Sequence, residues 1–273
     1  MKMNDIKMKD KDFPVGKINE LRRKIKEISP LVHCITNPIS INQCANTILA
    51  VGARPMCAEH PLEAAAVTSA AGAVMLNLGN ITDVRMESMR ISAKEAHKLG
   101  KRFVLDVCGA ACLENRRVYA ESLIKEYTPT VIKGNYSEIK ALRYPGYKSS
   151  GVDSDPKLET EEIIEAAGEL ARKFGTVVLA SGKTDIITDG QIVYRINNGS
   201  PQLSTVTGTG CMQGALCAAF LSAADGAVAA VSAAVMLGIC GELAETDRGS
   251  GSFMVNLMDR LSTVTDEDII GLY

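Results

Sequence analysis

The glycine- and threonine-rich stretch at residues 204–211 combines residue types and spacing that suit anion binding. It runs directly into a long alanine-rich helical pattern. Gly208 and Gly210 allow backbone amides to face a ligand without a side chain in the way. The first turn of a helix leaves its amides unpaired and carries a positive partial charge. The stretch therefore predicts a site for an anion, most naturally a phosphate, and the alternative is a structural loop that caps a buried helix.

Two common phosphate-binding loops do not fit the sequence. Gly208, Gly210 and Gly214 are spaced G-x-G-x-x-x-G, whereas a dinucleotide fingerprint requires G-x-G-x-x-G. The segment 182–184 reads Gly-Lys-Thr like the end of a Walker loop, but Val177 stands where that loop needs its first glycine. The sequence therefore excludes a P-loop NTPase.

Polar residues lie at or near the ends of several apolar runs that have the length of strands. These residues are Asn77, Asp106, Lys133, Asn135 and Ser181. In sheets of parallel strands, ligands bind beyond the carboxyl ends of the strands. We therefore expect these side chains to share one crevice.

Two carboxylates in this set suit a magnesium ion. Glu138 lies three residues after Asn135, at the beginning of a predicted helix, and Asp106 ends an apolar strand. Magnesium keeps several waters and needs few carboxylates, so one such pair is sufficient. The alternative for Glu138 is a capping box with Asn135, and the alternative for Asp106 is a turn or cap. Lys133 is expected to neutralise phosphate charge, although a lysine at a strand end is more often simply solvated.

The thiol of Cys211 stands beside the predicted helix amides, which we expect to lower its pKa and make it a better base. The other cysteines, among eight with no C-x-x-C pair, are interpreted as reduced and mostly buried. The histidines show no shared metal-ligand spacing. His33 is expected to be a hydrogen-bonded core residue, and His97 is expected to face solvent.

The 273 residues suffice for one large α/β domain or two small ones, and the 46% hydrophobic and 23% charged residues are typical of a globular protein with a core. No repeat or linker divides the sequence, so a single domain across all 273 residues is predicted. The net charge of −2 gives no basic stripe for nucleic acid. Residues 1–12 are charged, lack the apolar core of a signal peptide and are predicted to be a loose tail. The apolar run at residues 226–241 is shorter than a membrane span, which predicts a buried helix rather than a membrane contact. We expect a cytoplasmic protein.

Apolar strands alternate with amphipathic helices along most of the chain, which is typical of a mostly parallel sheet covered by helices on both faces. A hairpin is predicted at residues 185–196, around the turn Asp189-Gly190. The strands are expected at residues 31–35, 73–78, 102–107, 130–133 and 176–180, and the helices at 18–28, 41–51, 83–99, 116–127, 136–143 and 160–174. Residues 144–157 are predicted to be a surface loop.

Three short segments, taken in order, give the chain a family resemblance. They read VHCITN at 32–37, GNYSEI at 134–139 and VTGTGCM at 206–212, and GSGSF follows at 249–253. Together they resemble hydroxyethylthiazole kinase, a member of the ribokinase-like superfamily. The resemblance runs from about residue 30 to nearly the C terminus.

The resemblance implies a three-layer α-β-α fold and a phosphotransferase that uses ATP and Mg²⁺. The substrate would be the primary alcohol of 4-methyl-5-(2-hydroxyethyl)thiazole, in a salvage step toward thiamine. The resemblance also implies a homotrimer whose active sites lie between subunits. The region of Met56 would then face the pocket of a neighbouring subunit.

Residue roles are also implied by the resemblance. Cys211 takes the place of the aspartate base of related sugar kinases, and residues 208–211 form the anion hole around the transferred phosphoryl group. The anion hole includes Gly208, Thr209 and Gly210. The resemblance also assigns metal binding to Asp106 and Glu138, and ATP binding to Lys133, Asn135 and Ser181. It assigns contacts with the thiazole to Asn37, Met56 and Gly208.

Two positions depart from the family pattern. Val107-Cys108 follows Asp106 where the family has Pro-Val, and Lys133 replaces an arginine, which exchanges a bidentate fork for a point charge. Three alternatives therefore stay open: another ribokinase-like activity (a hydroxymethylpyrimidine-type kinase or a nicotinamide-nucleotide-hydrate dehydratase), a catalytically silent nucleotide-binding module, and an NAD-linked oxidoreductase, which the glycine spacing disfavours.

Overall fold

The computed structural model describes residues 8–149 and 158–273, so the N-terminal seven residues and part of the predicted 144–157 loop lie outside the described chain. Nine strands of the described residues form one sheet: β1 (Lys9–Asp10), β2 (Leu31–Ile35), β3 (Arg54–Met56), β4 (Ala73–Asn77), β5 (Phe103–Asp106), β6 (Val131–Asn135), β7 (Val177–Ser181), β8 (Asp185–Thr188) and β9 (Ile192–Ile196).

Helices connect and cover these strands. In chain order they are α1 (Gly16–Ile28), α2 (Ile41–Ala50), α3 (Pro61–Ala70), α4 (Asp83–Lys98), α5 (Glu114–Tyr127), α6 (Tyr136–Arg143), α7 (Thr160–Phe174), α8 (Thr209–Leu221), α9 (Gly226–Leu243), α10 (Ser250–Thr263) and α11 (Asp266–Leu272). A 3₁₀ helix at Pro201–Thr205 leads into α8.

The strand order is β1-β9-β8-β7-β6-β5-β4-β2-β3. Neighbours are parallel except for β8, which is antiparallel to both β7 and β9. The β8–β9 hairpin confirms the hairpin predicted at residues 185–196. The run from β7 to β2 is parallel, so the carboxyl ends of β7, β6, β5, β4 and β2 all lie on one edge of the sheet.

Each face of the sheet buries its own apolar layer, because successive side chains of a strand point to opposite faces. Met75 and Val104 pack with α1, α2, α8, α9 and α10. Leu76 and Leu105, one residue along, pack with α4, α5, α6 and α7. The predicted α/β architecture of three layers is therefore confirmed.

The prediction of a loose tail is wrong for Lys9 and Asp10. These two residues pair in parallel with Ile192 and Val193 of β9, and they add a ninth strand to the sheet edge. A two-residue strand held by main-chain hydrogen bonds needs no apolar periodicity, so the sequence carries no signal for it.

Helix α9 has 18 residues, two more than predicted, and is the one helix of the described chain long and apolar enough to cross a membrane. Most of it, 78%, is buried inside the fold, as expected for a core helix. Gly238 permits its close packing, because a Cβ at this position would lie 2.4 Å from the carbonyl oxygen of Asn198.

We expect Gly238→Ala to destabilise the protein by about 1–3 kcal/mol, since backbone atoms cannot move aside as a flexible side chain would. Gly251→Ala in α10 is the matched control: nothing lies within 4 Å of its added methyl group, so stability should stay the same or rise slightly. Urea unfolding at equilibrium measures both changes. Equal stability of the two variants would contradict the packing argument.

Candidate active site

A cavity of about 500 Å³ opens at the shared carboxyl edge of the strands, beside the N terminus of α8. It brings together every residue to which the resemblance assigns a role except Met56, whereas Asn77, which was also expected in the crevice, lies buried behind its wall. Those lining it are Asn37, Asp106, Lys133, Asn135, Glu138, Ser181, Gly208, Thr209, Gly210 and Cys211.

Strand register explains why these side chains meet. Asn77 is paired with Asp106 across β4 and β5, and Asp106 with Lys133 across β5 and β6. Asn135 is paired with Ser181 across β6 and β7. Residues paired in this way on neighbouring parallel strands lie side by side, so the carboxyl ends deliver a row of polar groups to the cavity.

The row contains a buried ion pair. Lys133 Nζ lies 3.4 Å from Asp106 Oδ2, and the two side chains are only 5% and 1% exposed. Burial by itself would lower the pKa of Lys133, but the charges of Asp106 and Glu138 raise it above its usual range, so the ammonium stays charged. The other oxygen of Asp106, Oδ1, is buried and has no hydrogen-bond partner among the described residues. Its lone pairs are therefore not used by a hydrogen bond within the fold.

The N terminus of α8 is placed against this ion pair by two glycines one helical turn apart. A Cβ on Gly210 would lie 3.3 Å from Lys133 Nζ, and one on Gly214 would lie 3.3 Å from Asp106 Oδ2. Gly208 caps the helix with φ of +91°, a conformation that favours glycine. The unpaired amides of the first turn and the Lys133 ammonium therefore face the same space, which can hold an anion.

The thiol of Cys211 lies within this polar network. Asn37 Nδ2 and Asn77 Nδ2 each approach its Sγ at 3.4 Å. Asn37 Nδ2 also donates to Asn77 Oδ1 at 3.0 Å, and Asn77 Nδ2 donates to Asp106 Oδ2 at 2.9 Å. A continuous set of contacts thus links the thiol to the ion pair.

The expectation that helix amides lower the pKa of Cys211 is wrong. Burial and the nearby charge of Asp106 raise the pKa of this thiol to about 11. Desolvation disfavours a thiolate more than the partial charge of one helix terminus favours it. Cys211 is therefore a thiol at neutral pH in this structure.

Glu138 forms the capping box that was its alternative interpretation. Its Oε2 accepts from the Asn135 amide at 2.7 Å, and the Glu138 amide donates to Asn135 Oδ1 at 2.9 Å. Its Oε1 accepts from the Gly109 amide at 2.7 Å. Burial, followed by the charge of Asp106, raises the pKa of Glu138 to about 7.

These donors fit a magnesium ion held largely by phosphates and water. The described residues contain no cluster of three or more His, Cys, Asp or Glu side chains that could enclose a metal. Asp106 Oδ1 offers a free buried oxygen, and Glu138 lies in the same cavity with one further lone pair on each oxygen. Magnesium characteristically takes one or two carboxylates together with substrate phosphates.

Three residues of the site had no assigned role in the sequence. Asn77 was identified only by its position at a strand end. Asp185, beside the cavity, is half-buried and supports the loop after β7, accepting from the Gly182 amide at 3.0 Å and from Gln213 Nε2 at 2.5 Å. Arg116 also lines the cavity, and no local pattern in the sequence distinguishes it from the adjacent Arg117.

Two expectations concern residues away from the cavity. His33 is a buried core residue, as predicted: its Nε2 donates to the Ala58 carbonyl at 2.8 Å and its Nδ1 lies 2.9 Å from Thr68 Oγ1. Met56 lies on the edge strand β3, is 41% exposed and does not line the cavity. Its expected contact with the substrate therefore requires a second subunit.

Comparisons with known proteins agree with this geometry. A sequence model of the hydroxyethylthiazole kinase family matches residues 22–267. Hydroxyethylthiazole kinase 2 of Clostridium botulinum (strain Hall) is 45% identical over 258 residues, which cover 92% of this chain and 97% of that protein.

Solved structures extend the similarity to the fold. A hydroxyethylthiazole kinase protein from Pyrococcus horikoshii OT3 superposes with a TM-score of 0.85 at 35% identity, covering 94% of this chain and 96% of that one. A ribokinase-like superfamily protein of Enterococcus faecalis V583 superposes with a TM-score of 0.63 at 14% identity and 94% coverage of both chains, which supports the fold alone. The chain is a kinase with a ribokinase-like fold, and it belongs to the hydroxyethylthiazole kinase family.

Proposed function

We propose that this protein transfers the γ-phosphoryl group of ATP to the primary alcohol of 4-methyl-5-(2-hydroxyethyl)thiazole, with Mg²⁺, in a salvage step toward thiamine. The observation that carries the proposal is the position of the Lys133 ammonium against Gly210, in the first turn of α8 and beside the Cys211 thiol. An anion-binding group next to a side chain that accepts a proton when ionised is an arrangement that suits phosphoryl transfer to an alcohol.

In the proposed reaction the substrate oxygen attacks the γ-phosphorus in line. The new O–P bond forms as the bond to the β–γ bridging oxygen breaks, and ADP leaves. Lys133 and the amides of residues 209–211 stabilise the charge on the transferred group, while Lys133, Asn135 and Ser181 hold the nucleotide. Magnesium bound near Asp106 and Glu138 would supply positive charge to the phosphate oxygens.

Cys211 is the proposed acceptor of the alcohol proton. The transition state of phosphoryl transfer is loose, so the proton leaves the alcohol late and the base contributes modestly. A thiol with a pKa of about 11 suits such a limited role, because only a small fraction is ionised at neutral pH. Asn37 and Gly208, which flank Cys211, are proposed to contact the thiazole.

The direct test is ADP release by the purified protein with ATP and Mg²⁺. We expect turnover that depends on hydroxyethylthiazole and is absent with hydroxymethylpyrimidine, with simple sugars and with hydrated NAD(P)H. ATP binding without turnover on any acceptor would reject the proposed activity in favour of a silent nucleotide-binding module. Turnover with one of the other acceptors instead would identify that acceptor as the substrate.

We expect Cys211→Ala to lower kcat by about 100-fold or less. The thiolate fraction rises tenfold per pH unit below the pKa of about 11, so wild-type kcat should increase from pH 7 to pH 9 and the variant should lack that increase. Cys240→Ala is the control, since it deletes a buried thiol of α9 that does not line the cavity. An identical pH profile for Cys211→Ala and the wild type would remove Cys211 as the base.

We also propose a homotrimer with active sites between subunits, in which Met56 reaches a neighbour's cavity. Apolar side chains around the edge strand β3 support this: Met56 is 41% exposed, Leu49 of α2 is 54% exposed and Leu62 of α3 is 90% exposed. Light scattering should give a mass about three times the 29.1 kDa chain. Met56→Asp should lower that mass and raise the KM for the thiazole, and a monomeric wild type would contradict the proposal.

The proposed location is the cytoplasm. All eight cysteines are free thiols, which suits a reducing compartment.

A further inference from the structure

Two positively charged side chains line the cavity, Lys133 and Arg116, and they differ in how far a nearby carboxylate neutralises their charge. Lys133 is paired with Asp106 at 3.4 Å. Arg116 lines the same cavity, but no carboxylate of the described chain lies within 4.0 Å of it. The neighbouring Arg117, by contrast, is paired with Glu121 at 2.6 Å and Glu114 at 3.5 Å. Arg116 is therefore the cation of this cavity that retains unbalanced positive charge.

Arg116 is held against the backbone of the loop that follows β5. Its Nη1 donates to the Cys108 carbonyl at 3.4 Å. Its guanidinium packs so closely on Gly109 that a Cβ there would come within 2.3 Å of Nη1. Gly109 has φ of +80°, and its amide donates to Glu138 Oε1 at 2.7 Å. One glycine thus fixes Arg116 and Glu138 on the two sides of a single loop.

One part of the guanidinium has no partner. Arg116 Nε is buried, and no acceptor in the described residues reaches it. A buried cationic N–H without an acceptor is unfavourable, so a rotation of the guanidinium that brings Nε to an anionic ligand in the cavity would relieve this cost. The planar guanidinium fork matches two oxygens of a phosphate, which the Lys133 ammonium cannot do.

We propose that Arg116 is a polyphosphate-binding residue that contacts oxygens of the terminal phosphates of the nucleotide. This inference rests on the proposed use of ATP and adds a bidentate contact to it. Arg116 and Lys133 then have different roles. Lys133 neutralises charge beside the α8 amides, and Arg116, held against the loop after β5, orients the phosphate chain. Arg116 touches the ligand directly and acts through no other side chain.

Binding experiments without catalysis test this assignment. Calorimetric titration of the full chain with tripolyphosphate, ADP and adenosine should show that Arg116→Gln weakens the binding of tripolyphosphate and ADP by roughly 10- to 100-fold. Adenosine, which has no phosphate, should bind with unchanged affinity. Arg117→Gln is the matched control, because it removes a neighbouring arginine whose charge is already paired, and it should bind all three ligands as the wild type does.

Arg116→Lys is the control for misfolding, because it keeps the positive charge and removes only the planar guanidinium fork. It should weaken binding of ADP and tripolyphosphate less than Arg116→Gln does, with unchanged thermal unfolding in the absence of ligand. Equal ADP affinity in the wild type and Arg116→Gln would overturn the assignment while leaving the proposed kinase activity intact. Equal losses for ADP and adenosine would also overturn it. A wild type that binds neither tripolyphosphate nor ADP would reject both proposals.

Discussion

The contact between Lys133 Nζ and Asp106 Oδ2 is the constraint on which the site depends. Two buried charges must be placed together, because either one alone in the interior would be strongly unfavourable. Adjacent strands provide that placement through their register, and Gly210 and Gly214 let α8 approach without covering the pair. The same two glycines bring the helix amides to the ammonium. Packing, charge balance and anion binding thus have a common geometric origin.

The burial of ionisable side chains in this site lowers the stability of the folded protein, and a ligand of opposite charge can offset that loss. Glu138 has a pKa of about 7 in the fold, well above its ordinary value near 4.5, so its proton is held more tightly when the protein is folded. Between about pH 4.5 and 7 the unfolded chain therefore loses this proton while the folded chain keeps most of it, so stability falls as the pH rises through this range. Positive charge brought by a ligand would reverse this trend. We infer that the empty site is less stable than the filled one, and that binding energy contributes to folding.

The sequence predicted the parts of the site that follow from local rules. Strand ends collect polar groups in a parallel sheet, so Asp106 and Lys133 could be assigned to one crevice before their contact was known. The capping box of Asn135 and Glu138 was visible as a four-residue pattern.

The pKa of Cys211 was not predictable, because it depends on burial and on Asp106, which is more than 100 positions away in the chain. Arg116 could not be distinguished from Arg117, because its place at the cavity depends on contacts with Cys108 and Gly109 that form only in the folded chain. The role of Met56 stays a prediction, since one chain does not complete its contacts.

The pairing of β1 with β9 has a consequence for the order in which the chain can fold during synthesis. Lys9 is synthesised before the other strands of this sheet, and its partner Ile192 is added more than 180 residues later. The closure of this edge therefore waits for most of the polypeptide, and the entropy of a very long loop opposes it until the intervening strands have formed. Strand β1 is thus synthesised before the other strands and is among the last to join the sheet. Until β9 is made, β1 has no partner, and the growing sheet ends in an unpaired edge that favours association with other chains.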